Sequence, residues 1–304
     1  MNVAAPRRKV TRVAVGVLLR EDGRVLLADR PTGKPYAGYW EFPGGKIEAE
    51  EPVARALERE LHEELGIEIG PSKPWVTFEF DYPHAYVELQ FRLVRRWRGR
   101  PSAREGQRLR FVDPAGELPR PLLPAAVPAL RWLLLPRTVI VLTPRQAATE
   151  GSATAADGAT CDGEGLIIVV DGGGFEENMT APARVLQSSA GKRWLMTAGA
   201  RRRSVAGWDG AVLDPCALDA GQDVGGWRGA WVDSDQDLRL ASSRGCDFVL
   251  ARSEAAVAAL CGRPAALPVY LPAGRPTEAK ETCCHGRWID LRSCPPANST
   301  SLSR

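Results

Sequence analysis

Three glutamates, Glu60, Glu63 and Glu64, stand at relative positions 0, 3 and 4 of a run that reads as helix. Side chains at that spacing leave one face together. Like charges so placed repel one another, and the helix carrying them is destabilised unless a cation sits among them. Their oxygens are the hard ligands that magnesium takes while keeping waters and sharing the rest of its shell with substrate phosphates. An acidic run alone is more often a solvated helix face. The wider pattern favours a site: Gly45, five residues, Glu51, seven residues, Arg59-Glu60-Leu61, one residue, Glu63-Glu64, one residue, Gly66-Ile67.

Every defining position of the Nudix box is filled by that pattern, and the chain from Val10 to the Pro136 boundary resembles the MutT branch of the Nudix hydrolases. The phrase YWEFPGGKIE before the box is especially similar. The resemblance implies an α/β/α sandwich with a mixed sheet and magnesium-dependent hydrolysis of 8-oxo-dGTP to the monophosphate and pyrophosphate, with manganese as the alternative ion. It implies that the Gly44 carbonyl, Glu60, Glu63 and Glu64 hold the metal, that Glu60 orients or deprotonates the attacking water, and that Arg59 and Glu51 fix loop and helix. Glu105, in RPSAREGQRLRFV, matches a loop that brings a further acidic residue to the metals. Arg30 matches a substrate-contacting arginine, and Glu41, Phe42, Pro43, Gly44 and Gly45 would line the nucleotide cleft. Where relatives specialised for oxidised guanine carry an asparagine before the last helix, this chain has Ala126, which offers neither donor nor acceptor. Other nucleoside triphosphates, CTP among them, are therefore alternative substrates.

These residues need a scaffold. VTRVAVGVLLR and RVLLADR, joined by an EDG turn, read as a β-hairpin. A loop rich in Gly, Pro and Tyr leads through EFPGGKIE to a helix over Pro52–Leu65. Pro52 suits its first turn, Gly66 suits its C-cap, and Val53, Ala56, Leu57, Leu61 and Leu65 make the buried face. WVTFEFDYP and AYVELQFRLVRRWRG alternate as paired strands do, and PAAVPALRWLLL reads as a closing helix. Together they make one α/β domain over residues 1–136.

From residue 137 the rhythm changes. VIVLT, GLIIVV, RWLMTA, GAVLD, GAWVDS, CDFVLA, LPVYLP and RWIDL recur as short apolar runs, and repeated βα units imply a parallel barrel with some helices short or missing. Residues 137–304 are similar to thiamine-phosphate synthases and their regulatory relatives, on the phrases GWDGAVLDP, GAWVDSDQDLRLASSRGCDFVLA and LPVYLPAG. The synthase pattern is eroded. Ala198-Gly199 replaces an expected Asn-Asp pair, and Pro272-Ala273-Gly274 replaces a phosphate-binding double glycine. A degenerate, non-catalytic barrel is expected, with a thiamine-related small ligand as its class of partner. A nucleotide- and thiamine-sensing protein is the runner-up to the hydrolase, and Gly199 disfavours a bifunctional synthase.

The 40 basic and 37 acidic residues of the 304-residue chain leave a formal net charge of +3, which by itself predicts no nucleic-acid binding. No run of about eighteen apolar residues predicts a membrane span. Seven scattered cysteines, all in the second half, fit a reducing cytoplasm better than a disulfide framework. Cys283-Cys284-His285 lacks the gap of a zinc knuckle. Nothing in the sequence fixes an oligomeric state.

Overall fold

A computed structural model describes residues 9–143, 166–170, 192–198, 209–219, 226–260, 265–273 and 284–290. The chain divides into two compact units, the first being residues 1–134 with short segments at 262–266 and 278–283, the second the remainder.

The first unit is built on β1 (Val10–Leu18), which runs parallel to β7 (Ala85–Val94) over nine residue pairs, Val10↔Tyr86 to Leu18↔Val94. On its other side β1 pairs antiparallel with β4 (Gly44–Lys46), and β6 (Lys73–Tyr82) pairs antiparallel with β7, giving a mixed sheet in the order β4-β1-β7-β6. A second sheet holds β3 (Trp40–Glu41), β2 (Val25–Asp29) and β9 (Leu109–Val112) in that order, and β5 (Glu68–Ile69) pairs with β8 (Trp97–Arg98).

The expected β1–β2 hairpin is corrected by this pairing. The EDG turn forms, with Gly23 N–H donating to Arg20 O at 3.1 Å, but β1 and β2 share only the bridge Leu19↔Val25 and belong to different sheets. The long parallel register with β7 fixes β1, and a chain that makes a local turn then diverges into the second layer. The GGK segment, to which the sequence reading gave no element, is the strand β4.

Helix α1 (Val53–Leu65) follows the apolar spacing: Ala56, Leu57, Leu61 and Leu65 are buried against Ala14, Leu18, Leu26 and Val94. Gly16 on β1 lets the helix approach closely, since a Cβ there would meet Leu61 at 3.1 Å and Leu57 at 3.2 Å. Pro52 is the N-cap, one residue before the first turn, and Gly66 closes the helix at φ 70° with its N–H donating to His62 O. The closing helix α2 is shorter than expected, Ala126–Trp132. Its Trp132 packs edge-on against Trp75 and Phe78 of β6.

In the second unit the eight apolar runs become eight parallel strands: β10 (Thr138–Leu142), β11 (Leu166–Val170), β12 (Lys192–Ala198), β13 (Gly210–Leu213), β14 (Trp227–Val232), β15 (Phe248–Ala251), β16 (Val269–Pro272) and β17 (Gly286–Asp290). Each pairs with the next, and β17 closes on β10 through Thr138↔Arg287 to Val141↔Asp290. Described helices span Pro215–Asp219, Asp235–Ser243 and Glu254–Leu260. Where strands β13, β14 and β15 end, Arg252 pairs with Asp233 at 2.6 Å and Asp214 at 3.5 Å. Gly199, Gly274 and Cys283 lie outside the described residues.

Candidate active site

Arg59 ties the box together. Its Nε and Nη2 donate to the two Glu51 oxygens at 3.1 and 3.0 Å, Nη2 also donates to Lys46 O at 3.0 Å, and Nη1 donates to Glu60 Oε1 at 2.9 Å. The guanidinium thus joins the incoming loop, strand β4 and helix α1. Its bonds hold the Glu51 carboxyl below the usual carboxylate range, helped by the Glu48 N–H, and raise its own pKa.

Glycines bring strand and helix close enough to make a cleft. Gly44 has φ 143°, and a Cβ there would sit 2.1 Å from the Ala14 carbonyl oxygen. A Cβ on Gly45 would lie 2.1 Å from the Glu60 carboxyl carbon, so the missing side chain is the space that Glu60 fills. Gly44 N–H donates to Glu64 Oε2 at 3.2 Å.

The segment after β8 wraps over the end of α1 and bonds to its terminal carbonyls. Ser102 N–H donates to Leu65 O, Arg104 N–H and Gln107 Nε2 to Glu64 O, and Arg104 Nη1 to His62 O. The buried Gln107 also receives the Glu105 N–H at 2.8 Å. This wrapping carries Glu105 to the helix face across 41 residues of sequence, 105 minus 64.

Glu60, Glu64 and Glu105 line a single cavity of about 750 Å³, with Gly44, Gly45 and Phe42 on its wall. The volume falls in the range of small-molecule pockets. Burial pushes the Glu64 carboxyl up to about 8, against the Gly44 bond, and the charges of Glu105 and Glu60 push the same way. Glu60 is raised by burial, opposed by Arg59 and reinforced by Glu63 and Glu105. Three hard-oxygen side chains facing one partly dry cleft, with the Glu60 and Glu64 carboxyls both raised by burial and neighbouring charge, fit a divalent cation. Among the described residues no three His, Cys, Asp or Glu side chains gather closely enough to hold an ion unaided. A divalent cation that retains waters and takes further oxygens from a ligand does not require that.

The other sequence-derived residues are distributed unevenly. Glu63 does not line the cavity; it is 57% exposed and lies 3.4 Å from Arg59. Arg30 and Glu41 do line it, but Arg30 Nη1 is bound to both Glu41 oxygens at 2.7 and 2.8 Å and its Nε to Pro35 O at 2.6 Å. Burial raises the Glu41 carboxyl although Arg30 opposes it. Phe42 is buried edge-on against Phe91. Pro43 is off the cavity, its carbonyl accepting the Gly16 N–H at 2.8 Å. Ala126 is buried where α2 begins and borders the cavity.

Sequence reasoning passed over Lys34, Tyr36, Tyr82 and His84, all on the cavity wall. Tyr36 adopts φ 61° and meets Tyr82 and His84 with ring centroids 5.5 Å away in each case. A non-glycine residue in that backbone region is unusual enough to draw notice, but only once the backbone is known.

A class follows from this arrangement: a mixed-sheet α/β unit that presents paired carboxylates from a Gly-capped helix to a nucleotide-sized cleft. Residues 10–133 match the NUDIX domain model. The 8-oxo-dGTP diphosphatase of Haemophilus influenzae is 39% identical over 116 residues, 37% of this chain and 85% of that protein. The CTP pyrophosphohydrolase of Escherichia coli is 38% identical over 116 residues, 38% of this chain and 86% of that one. The 8-oxo-dGTP diphosphatase of Escherichia coli is 37% identical over 99 residues, 33% and 77% of the respective chains. The chain belongs to the Nudix family, and its first unit is a Nudix hydrolase.

Proposed function

We propose that the first unit hydrolyses nucleoside triphosphates to the monophosphate and pyrophosphate, with 8-oxo-dGTP the preferred substrate and removal of oxidised guanine from the nucleotide pool the consequence. The observation that carries this is the meeting of Glu60, Glu64 and Glu105 on one cavity, with Arg59 bound to Glu60 and Glu51. Magnesium, or manganese in its place, would be held by these carboxylates with Gly44, and would neutralise charge developing on the triphosphate oxygens. Glu63, from the flank of the helix, completes the acidic set.

Glu60 is assigned to the attacking water. Its carboxylate is held by the Arg59 bond and packs into the space left by the missing side chain of Gly45, so its position is set before substrate arrives. It orients the water and accepts its proton as the water oxygen bonds to phosphorus and the anhydride bond between the α- and β-phosphates breaks, giving monophosphate and pyrophosphate. Arg30, engaged by Glu41 and Pro35, holds the wall of the nucleotide cleft. The ring cluster of Tyr36, Tyr82 and His84 offers a surface on which a base can stack.

A second reading is a broader or pyrimidine-directed diphosphatase. Ala126 favours it, since the buried methyl leaves no amide at the cavity to tell oxidised from ordinary guanine. Pyrophosphate release from 8-oxo-dGTP, dGTP and CTP under identical conditions separates the two: preference for 8-oxo-dGTP supports the first, preference for CTP the second.

For the barrel we infer a binding role without synthase chemistry, with a thiamine-related small molecule at the strands' C-terminal ends as the expected ligand. The reading rests on the sequence resemblance and its eroded positions. Among the described residues no helix is long and apolar enough to cross a membrane. A cytoplasmic location, where nucleoside triphosphates are available, agrees with the proposed substrate.

A further inference from the structure

A nucleoside triphosphate brings about four negative charges to a cavity already lined by Glu41, Glu60, Glu64 and Glu105. Divalent cations offset part of that charge, and cationic side chains must meet the rest. Among the described residues the lysine and arginine side chains on the wall are those of Arg30, Lys34 and Lys46. Arg30 is committed: both oxygens of Glu41 and the Pro35 carbonyl hold it, and the pair is largely enclosed. Lys46 stands at the end of β4, where its carbonyl serves Arg59.

Lys34 differs in kind. Its Nζ lies 2.7 Å from Glu105 Oε2, with the two side chains 48% and 40% exposed. An ion pair so exposed contributes little to stability and exchanges readily. Lys34 lines the same cavity as Glu41 and Glu64, and its positive charge also acts on both of those carboxyls. Its loop is shaped for this position by Gly33 at φ 90°, Tyr36 at φ 61° and Gly38 at φ 80°, and Gly38 N–H donates to Arg30 O at 2.8 Å. Arg30 therefore fixes the loop, and Lys34 is the part of the loop free to change partner.

We propose that Lys34 is a triphosphate-binding residue of this enzyme: in the nucleotide-free protein Glu105 holds its ammonium at the cavity rim, and on binding it passes to the phosphate oxygens and leaves the Glu105 carboxylate to the cation. This deepens the diphosphatase reading and rests on it. Lys34 and the cation compete for Glu105, so loss of the lysine has opposite effects on the two ligands. Nucleotide binds less well; the metal alone binds better. A lysine that merely braced the loop would not produce that divergence.

The test uses the full-length chain with Lys34→Met and Lys34→Arg. For Lys34→Met the KM for the triphosphate rises on the order of tenfold while kcat changes much less, as when a charge-assisted contact common to ground and transition states is removed. Titration of the nucleotide-free protein with Mn²⁺, followed by electron paramagnetic resonance, gives a dissociation constant lowered a few-fold. Lys34→Arg keeps both values close to wild type. Binding of inorganic tripolyphosphate, which needs no turnover and has no base, weakens in Lys34→Met. If the wild type binds tripolyphosphate yet hydrolyses no nucleotide, the diphosphatase reading fails while the Lys34 contact is still read. Unchanged tripolyphosphate binding, or Mn²⁺ affinity equal to or weaker than wild type in Lys34→Met, overturns the proposal.

Discussion

Gly45 and Glu60 occupy one space: a Cβ built on Gly45 would lie 2.1 Å from both the carboxyl carbon and Oε2 of Glu60. The atoms it would strike are the far end of a flexible side chain. Gly45→Ala should therefore fold, with Glu60 turned aside. A displacement of about 1 Å at a reacting group costs on the order of a hundredfold in rate, and a kcat loss of that size with an unchanged melting temperature is expected. Gly44→Ala meets the Ala14 backbone oxygen at φ 143° instead, and has no side chain to push away. It should lower the melting temperature by roughly 5 °C or more. Parallel thermal melts and pyrophosphate assays of the two variants check the contrast.

Arg59→Lys tests the tie between loop and helix. A lysine keeps the charge but loses the paired grip on Glu51 and the simultaneous bonds to Lys46 O and Glu60. Groups that orient metal ligands typically alter metal affinity or activity by about tenfold or more. The magnesium concentration giving half-maximal activity should rise by that order. A magnesium titration superimposable on wild type would show that Glu60 is held by other means.

The elements that position the site were unequally legible in the sequence. Helix α1 could be read nearly to the residue because its apolar face, Pro52 and Gly66 all report the same local geometry. The eight barrel strands were equally plain as short apolar runs. The β1–β2 hairpin misled because turn chemistry is local while strand pairing is not: β7, far along the chain, takes the edge of β1. Within the site, helical spacing marked Glu60 and Glu64 but could not show that Glu63 leans out toward Arg59 and solvent. The Lys34–Glu105 pair spans 71 residues and has no sequence signature at all.

Ala126→Asn addresses base choice. The side chain enters where α2 borders the cavity, and an amide there supplies a donor and an acceptor. A buried hydrogen bond contributes about 1 kcal/mol, so the ratio of 8-oxo-dGTP to dGTP turnover should rise several-fold. An unchanged ratio would place recognition on the ring cluster of Tyr36, Tyr82 and His84 or on the Glu41–Arg30 pair.

Residues 1–136 expressed alone should retain the diphosphatase activity of the full chain, because the cavity lining runs from Thr11 to Ala126 and the hydrophobic cluster around α1 lies wholly within those residues. Residues 137–304 should form no thiamine phosphate when given magnesium and both synthase substrates. A folded but inactive first half, or a competent second half, would require the two units to be redrawn as one enzyme or as two.

The central claim is that the carboxylates facing the cavity carry the reaction, and Glu64 is coupled to the others: it receives the Gly44 N–H, and the charges of Glu105 and Glu60 both act on it. Pyrophosphate release from 8-oxo-dGTP should require a divalent cation in the wild type and fall by a factor of about a thousand or more in Glu64→Gln. Glutamine is nearly isosteric, still accepts the Gly44 bond and removes a carboxyl whose ionisation folding opposes, so the metal-free variant should melt at or above the wild-type temperature at neutral pH. Glu63→Gln, at the exposed flank, should lose less activity than Glu64→Gln. A folded Glu64→Gln protein that releases pyrophosphate at close to the wild-type rate would contradict the account.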